Sequence, residues 1–287
     1  MNGIIIINKE SDFTSRDVVN IIGKKFHTKK VGHAGTLDPL ATGVLVVCVG
    51  TSTKLVELLT SHDKEYIAEI TLGTLTDTLD STGRIIKEEE VCVTEDEVKC
   101  ALTSMQGKYL QEVPIYSAVK INGRKLYEYA RNNEPIELPK REVEIKKIEL
   151  ISDLKYVDNK VVFKIKCFVS KGTYIRALVN DIANKLGTIG IMSELTRTKQ
   201  GDFCIEESQY LDEDLIMLKP SQVLNKYKKV TVDDVLEADI LNGKVIDNIY
   251  DEDIVVFINK FEDAIAIYRK IAKDDKKIKP WKMLVTR

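Results

Sequence analysis

A chain of 287 residues, 44% of them hydrophobic and 31% charged, carries enough apolar material for a substantial core and leaves room for a second small domain. Its apolar runs fall well short of a membrane span, and Ile4-Ile5-Ile6-Ile7 is too short and too bare of preceding basic residues for a secretory signal, so a soluble cytoplasmic protein with no membrane partner is expected. The scattered cysteines Cys48, Cys92, Cys100, Cys167 and Cys204, with only 3 histidines, exclude a disulfide framework and argue against a metal centre, while the formal net charge of −2 gives no overall basic footprint for nucleic acid.

Gly3 to Ile7 predicts a short strand. Thr14 or Ser15 then opens a helix, with Asp17 at capping-box distance from Thr14 and with Val18, Ile22 and Phe26 on the buried face. That helix leads through an acid-free basic run, Lys24, Lys25, Lys29 and Lys30, into Gly32-His33-Ala34-Gly35-Thr36-Leu37-Asp38-Pro39-Leu40-Ala41-Thr42-Gly43. Here Pro39 disfavours helix at Asp38, and the glycines permit backbone angles closed to other residues, so one carboxylate is suspended on a shaped loop. An Asp-Pro pair alone is a common turn, and the whole segment is the informative unit. Val44 to Val49 reads as a strand buried on both faces that anchors the loop at its exit.

Tyr66, Ala68, Ile70 and Leu72 alternate with mostly polar neighbours, as a half-exposed strand does. A helix is predicted from Thr94 to Met105, capped by Thr94 and Glu97 and stopped by Gly107. From about Glu112 to Arg141 the pattern weakens into prolines and the basic residues Lys120, Arg124, Lys125, Arg131, Lys140 and Arg141, which marks an excursion from the sheet. Strands follow at Val143 to Ile145 and Val161 to Val169, then a helix from Tyr174 to Leu186. After Pro220 the composition shifts, acidic residues gather from Asp233 to Asp253, and β-like runs recur at Ile254 to Ile258 and Ala264 to Tyr268. Helices and strands interleave without a βαβ period, so an α+β fold with a mixed sheet is expected.

The twelve-residue loop segment closely resembles the catalytic motif G-H-x-G-x-L-D-P-x-A-x-G of the TruB family, the tRNA pseudouridine-55 synthases. The resemblance continues in the family's order through Lys64-Glu65-Tyr66, Thr76-Asp77-Thr78-Leu79-Asp80, Val113-Pro114-Ile115-Tyr116-Ser117-Ala118-Val119-Lys120, Lys125-Leu126-Tyr127-Glu128-Tyr129-Ala130-Arg131 and Ser170-Lys171-Gly172-Thr173-Tyr174-Ile175-Arg176. It departs at Lys9-Glu10-Ser11-Asp12-Phe13-Thr14-Ser15, where the family's K-P-x-G-x-T-S loses its proline and glycine, so the turn there is expected to be altered. The resemblance implies a pseudouridine synthase fold, a mixed sheet with flanking helices, in a catalytic domain over 1–227 with a thumb-like RNA-binding insertion at about 112–141. It also implies a small C-terminal PUA-like β domain over 228–287 that binds RNA. The implied activity is isomerisation of the uridine in the TΨC loop of tRNA, by base flipping, without cofactor, guide RNA or obligatory protein partner, in a monomer. The implied catalytic residues are Asp38, Tyr66 and Arg176. His33, Tyr174, Leu195 and Lys9 are implied on the substrate side, Lys9 within a motif that supports the site.

Converting uridine to pseudouridine breaks N1–C1′, turns the uracil and joins C5 to C1′, with no redox change. A carboxylate beside the sugar can act as nucleophile or assist deprotonation there, and the residues leave attack at the sugar, attack at the ring and elimination all open. Since a dry site disfavours a charged carboxylate, a fixed cation is needed, and the permanent planar fork of Arg176 suits that task. Tyr66 is expected to stack on the extruded uracil with its hydroxyl near the C5 proton, and His33 to stabilise the flipped nucleotide. Other readings are a guide-RNA-dependent subunit, a tRNA-folding module without catalysis, and a retaining glycosidase with Asp77 or Asp80 as its second carboxylate.

Overall fold

A computed structural model describes residues 2–285. The first part of the chain runs β1 (Gly3–Lys9), α1 (Ser15–Lys25), β2 (Val31–His33), β3 (Thr42–Val49), α2 (Val56–Thr60), β4 (Lys64–Leu72), β5 (Thr74–Thr76), β6 (Ile85–Glu88), α3 (Glu95–Ser104) and β7 (Gly107–Glu112). An excursion holds β8 (Lys120–Ile121), β9 (Arg124–Lys125) and α4 (Leu126–Arg131), after which β10 (Lys140–Leu150), β11 (Lys155–Val157), β12 (Lys160–Val169), α5 (Ile175–Lys185), β13 (Gly190–Gln200), β14 (Phe203–Cys204) and α6 (Pro220–Val223) complete this half. The remainder folds as β15 (Lys228–Thr231), α7 (Asp234–Leu241), β16 (Ile246–Asp247), β17 (Ile254–Ile258), β18 (Ala264–Ile271) and β19 (Asp274–Met283).

Local signals explain the helix starts. The Thr14 hydroxyl accepts the Asp17 N–H at 3.1 Å while the Asp17 carboxylate accepts the Thr14 N–H at 2.9 Å, and Thr94 and Glu97 form the same reciprocal cap on α3. Each such cap contributes about 1 kcal/mol.

The main sheet is mixed, as the interleaved elements predict, with the order β1-β3-β13-β4-β12-β10-β7. Every pairing along this path is antiparallel except β3 with β13, which meet in parallel register at only two pairs, Thr42 with Thr196 and Gly43 with Arg197. The two strands diverge from that short contact, and the Gly32 to Gly43 segment enters there. β3 is buried on both faces: Leu45, Val47 and Val49 pack with α1, β4, β12 and α5, and Val44, Val46 and Cys48 pack with Leu55, Leu58 and Leu59. The outer face of β4, β12 and β13 is solvated and carries cross-strand pairs of Lys164 with Glu69 and Glu194 and of Lys166 with Glu65. These exposed pairs specify register more than they add stability.

The excursion is a small packed unit rooted on the β7–β10 ladder, with the Val113 N–H bonded to the Pro139 carbonyl at 3.0 Å across its neck. Within it the Arg124 guanidinium stacks over Tyr129 at 4.4 Å and forks onto Glu134. The C-terminal sheet, in the order β15-β17-β18-β19-β16, has its own core in which Phe257 meets Tyr268 edge-on at 5.1 Å and Tyr250 at 5.9 Å. Among the described residues no helix is long and apolar enough to cross a membrane.

The departure between Lys9 and Ser15 has a structural outcome. Asp12, standing where the family motif carries glycine, adopts φ +69, and its N–H bonds the Pro39 carbonyl at 3.0 Å. The turn is closed in a left-handed conformation by a residue that bears a steric cost there.

Candidate active site

The loop that carries Asp38 is fastened from four sides. The Ser15 hydroxyl, buried at the start of α1, accepts the Leu37 N–H at 2.9 Å and donates to the Leu37 carbonyl at 3.1 Å. From β1, the Lys9 ammonium donates to the carbonyls of Pro39 at 3.0 Å, Phe13 at 2.7 Å and Glu10 at 2.8 Å. From β13, the Arg197 guanidinium donates to the Gly35 carbonyl at 3.1 Å and the Val44 carbonyl at 2.7 Å, and the Gln200 amide donates to the Ala34 carbonyl. At the exit, Gly43 takes φ +97 with the Arg197 carbonyl 2.3 Å from where a Cβ would sit, so only glycine fits the parallel junction.

Asp38 meets the Nε–Nη2 edge of the Arg176 guanidinium. Arg176, the second residue of α5, places Nε 2.9 Å from Asp38 Oδ2 and Nη2 3.2 Å from Asp38 Oδ1. The same guanidinium donates to the Thr78 carbonyl at 2.9 Å and the Tyr116 carbonyl at 3.0 Å, and its Nη1 lies 3.6 Å from Asp80 Oδ2. One cation thus joins the Asp38 loop, the turn after β5 and the root of the excursion. Asp80 is buried and its Oδ1 is saturated by the Thr78 hydroxyl at 2.7 Å, the Thr82 hydroxyl at 2.6 Å and the Thr82 N–H at 3.0 Å. The Arg176 side chain is only 6% exposed whereas the Asp38 side chain is 34% exposed, so the pair is supported from below and open to an incoming ligand on the carboxylate side.

Tyr66 and Tyr174 lie within electrostatic reach of Asp38. Tyr66 is buried in β4, with Arg197 as its neighbour in β13 and Cys167 in β12. Burial pushes the Tyr66 hydroxyl's pKa up, partly opposed by Arg197, so the phenol stays protonated at neutral pH. Leu195, two residues before Arg197, is buried opposite Ala68. Tyr174 is the N-cap residue of α5, and burial raises its hydroxyl too. His33 lies in β2, where burial first, then Arg16 and Arg197, hold its pKa below 6.5 and keep the imidazole neutral at neutral pH.

Lys9 differs from its expected place on the substrate side. It is fully buried, its three donors are taken by the three backbone carbonyls, and burial lowers its pKa to about 8. It supports the loop from beneath and presents nothing to a ligand. Sequence reasoning passed over Arg197, which is only 1% exposed. A signal existed: the period-2 alternation of β13 puts an arginine on the same face as Leu195, where an apolar residue would ordinarily sit. Asp80 was visible only as a possible second acid, and its saturated Oδ1, with Oδ2 turned to Arg176, places it as a structural neighbour of that arginine.

Among solved structures, a chain of a Cbf5-Nop10-Gar1 complex superposes with a TM-score of 0.72 at 24% identity, covering 99% of this chain and 85% of that one. A chain of an H/ACA RNP bound to a substrate RNA containing 2'-deoxyuridine gives 0.71 at 22% identity, covering 99% and 86%. These likenesses are of fold. In sequence, a family profile described as TruB family pseudouridylate synthase (N terminal domain) matches residues 23–175. Proteins named tRNA pseudouridine synthase B are 40% identical in Bacillus pumilus, over 99% of this chain and 98% of that protein, and 44% identical in Caldanaerobacter subterraneus, over 87% and 88%. Fold and sequence together define an isomerase of the pseudouridine synthase class. Within that class, the chain belongs to the TruB family.

Proposed function

We propose that this protein isomerises the uridine in the TΨC loop of tRNA to pseudouridine, acting alone as a monomer, with Asp38 as the catalytic carboxylate and no cofactor. The observation that carries the reading is the two-pronged contact between the buried Arg176 and the half-exposed Asp38. A carboxylate held this way keeps its orientation without reorganisation when the sugar arrives. The tRNA substrate rests on the relatives, which carry the name tRNA pseudouridine synthase B.

In this reading the uridine is flipped out of the RNA, His33 stabilises its displaced position, and Tyr66 stacks on the uracil with Leu195 and Tyr174 completing the walls. Asp38 acts on the sugar or base, and the protonated Tyr66 hydroxyl stands near the carbon that loses its proton. Residues 1–227 form the catalytic unit. The excursion between β7 and β10 closes over the RNA as a thumb, and the C-terminal sheet, a PUA-like unit over 228–287, extends the contact along the RNA backbone. The reaction is redox-neutral and needs no group beyond these side chains.

The test uses tRNA carrying C5-tritiated uridine. Wild-type protein is expected to release tritium and leave pseudouridine in the TΨC loop. Asp38→Asn is expected to lower the single-turnover rate by about a thousandfold or more while still binding tRNA, and Arg176→Lys by about a hundredfold, because lysine cannot keep both prongs and the two carbonyl contacts. Pseudouridine formed at the wild-type rate by Asp38→Asn would remove the assignment.

A further inference from the structure

Gln111 is only 1% exposed, yet the chemistry above does not use it. It lies in β7, and its Oε1 accepts the Tyr174 N–H at 2.8 Å while its Nε2 donates to the Tyr174 carbonyl at 3.1 Å and to the Tyr109 hydroxyl at 2.8 Å. The Tyr109 hydroxyl in turn donates to Asp181 Oδ2 at 3.1 Å. Tyr174 is the N-cap of α5 and has no side-chain cap of its own, Arg176 follows two residues on, and Asp181 lies further along the same helix. Two neighbouring side chains of one edge strand therefore grip α5 at its N-cap and again in its middle. Burial raises the pKa of Asp181, and the Tyr109 hydroxyl opposes that rise by donating to the charged form.

The place of Gln111 in the chain matters as much as its bonds. It pairs with Arg141 on the ladder from which the excursion springs, and the neck of the excursion closes two residues later at Val113. Arg176 grips the Tyr116 carbonyl from the other side. The root of the excursion and the first turn of α5 are therefore bound to each other by an amide and a guanidinium.

We propose that Gln111 is a positioning residue for the isomerisation: by clamping the Tyr174 peptide it fixes the first turn of α5, so that Arg176 meets both oxygens of Asp38. The proposal rests on the reading of Asp38 and Arg176 as the catalytic pair. A shift of about 1 Å in that turn breaks a two-pronged contact, and misplacement on that scale can cost up to about a hundredfold in rate. An amide with a purely structural role would lower thermal stability and leave the rate of folded protein unchanged.

The experiment compares Gln111→Met, Tyr109→Phe and Arg176→Lys by single-turnover tritium release, tRNA affinity and thermal melting. Gln111→Met keeps the volume and removes the clamp. It is expected to slow the folded protein by about tenfold or more, to change tRNA affinity by less than about twofold, and to add little to the loss already caused by Arg176→Lys, because both act through one charge. A wild-type rate in folded Gln111→Met, or a loss that multiplies in full on the Arg176→Lys background, overturns the proposal. Should Gln111→Met fail to fold, Tyr109→Phe tests the same grip with a smaller change: kcat about threefold lower at constant KM supports it, and unchanged kcat overturns it. A wild-type rate in Arg176→Lys would instead remove the catalytic pair on which the proposal rests.

Discussion

Two residues away from the chemistry carry costs that can be measured. Asp12 holds φ +69, a conformation in which a Cβ crowds the backbone, and no hydrogen bond of its carboxylate compensates among the described residues. Asp12→Gly is expected to stabilise the protein by about 0.5–1 kcal/mol, read as a higher urea midpoint with unchanged slope. His62 is buried with neither ring nitrogen finding a partner among the described residues, and burial first, then Lys226, lower its pKa from 6.5. The unfolded imidazole takes up its proton near pH 6.5 and the folded one only at lower pH, so the unfolded state binds more protons in that window. Stability is therefore full above about pH 6.5 and falls as the pH drops through the window. His62→Phe is expected to flatten this slope without abolishing it, since His33 shifts in the same direction. Urea midpoints from pH 7.5 down to about 5 would check both statements.

At the scale of elements, what was legible in the sequence is what depends on neighbours in the chain. α1 and α3 announce themselves by capping boxes, β3 by an unbroken apolar run, and α5 by its spacing, because each signal spans a few residues. Asp38 was legible through its loop segment. Its support was not: Arg197 bonds Val44 and Gly35 across 153 and 162 residues, and Arg176 reaches Asp38 across 138. No local pattern encodes a bond of that range. The junction of β3 and β13 gives a test at this scale. Gly43→Ala adds a methyl 2.3 Å from the Arg197 carbonyl in addition to its strained φ, whereas Gly187→Ala has φ +72 with open space around it. Gly187→Ala is expected to cost about 1 kcal/mol and leave turnover intact, while Gly43→Ala costs about 2–4 kcal/mol and reduces turnover by displacing the loop. Equal losses from the two in melting and tritium release would remove the steric argument.

For the whole molecule, the C-terminal sheet is part of the frame that holds β3. Val256, Ala264, Ile267 and Leu284 share one apolar cluster with Val44 and Val46, on the face of β3 turned away from α1 and α5. Two polar contacts pin the same seam: Lys54 donates to the Met283 carbonyl at 2.6 Å, and Lys282 pairs with Glu57 at 2.8 Å. The strand that leaves the Asp38 loop is therefore held on one side by the sheet's own helices and on the other by residues more than 200 positions later. Two perturbations separate the roles of this unit. Charge reversal of the exposed Lys273, Lys276 and Lys277 to Glu touches none of the shared core and is expected to weaken tRNA binding by about tenfold at low salt, to reduce the salt dependence, and to leave the melting temperature unchanged. Truncation after Tyr227 uncovers Val44, Val46, Leu55 and Leu58, and burial of such side chains stabilises by about 1.5–3 kcal/mol each. The truncated protein is expected to melt at a markedly lower temperature or to aggregate, and to lose turnover even at tRNA concentrations that saturate whatever binding remains. If it instead keeps the full melting temperature and loses only affinity, the shared cluster contributes nothing to the hold on β3, and the Asp38 loop takes its order from α1, β1 and β13 alone.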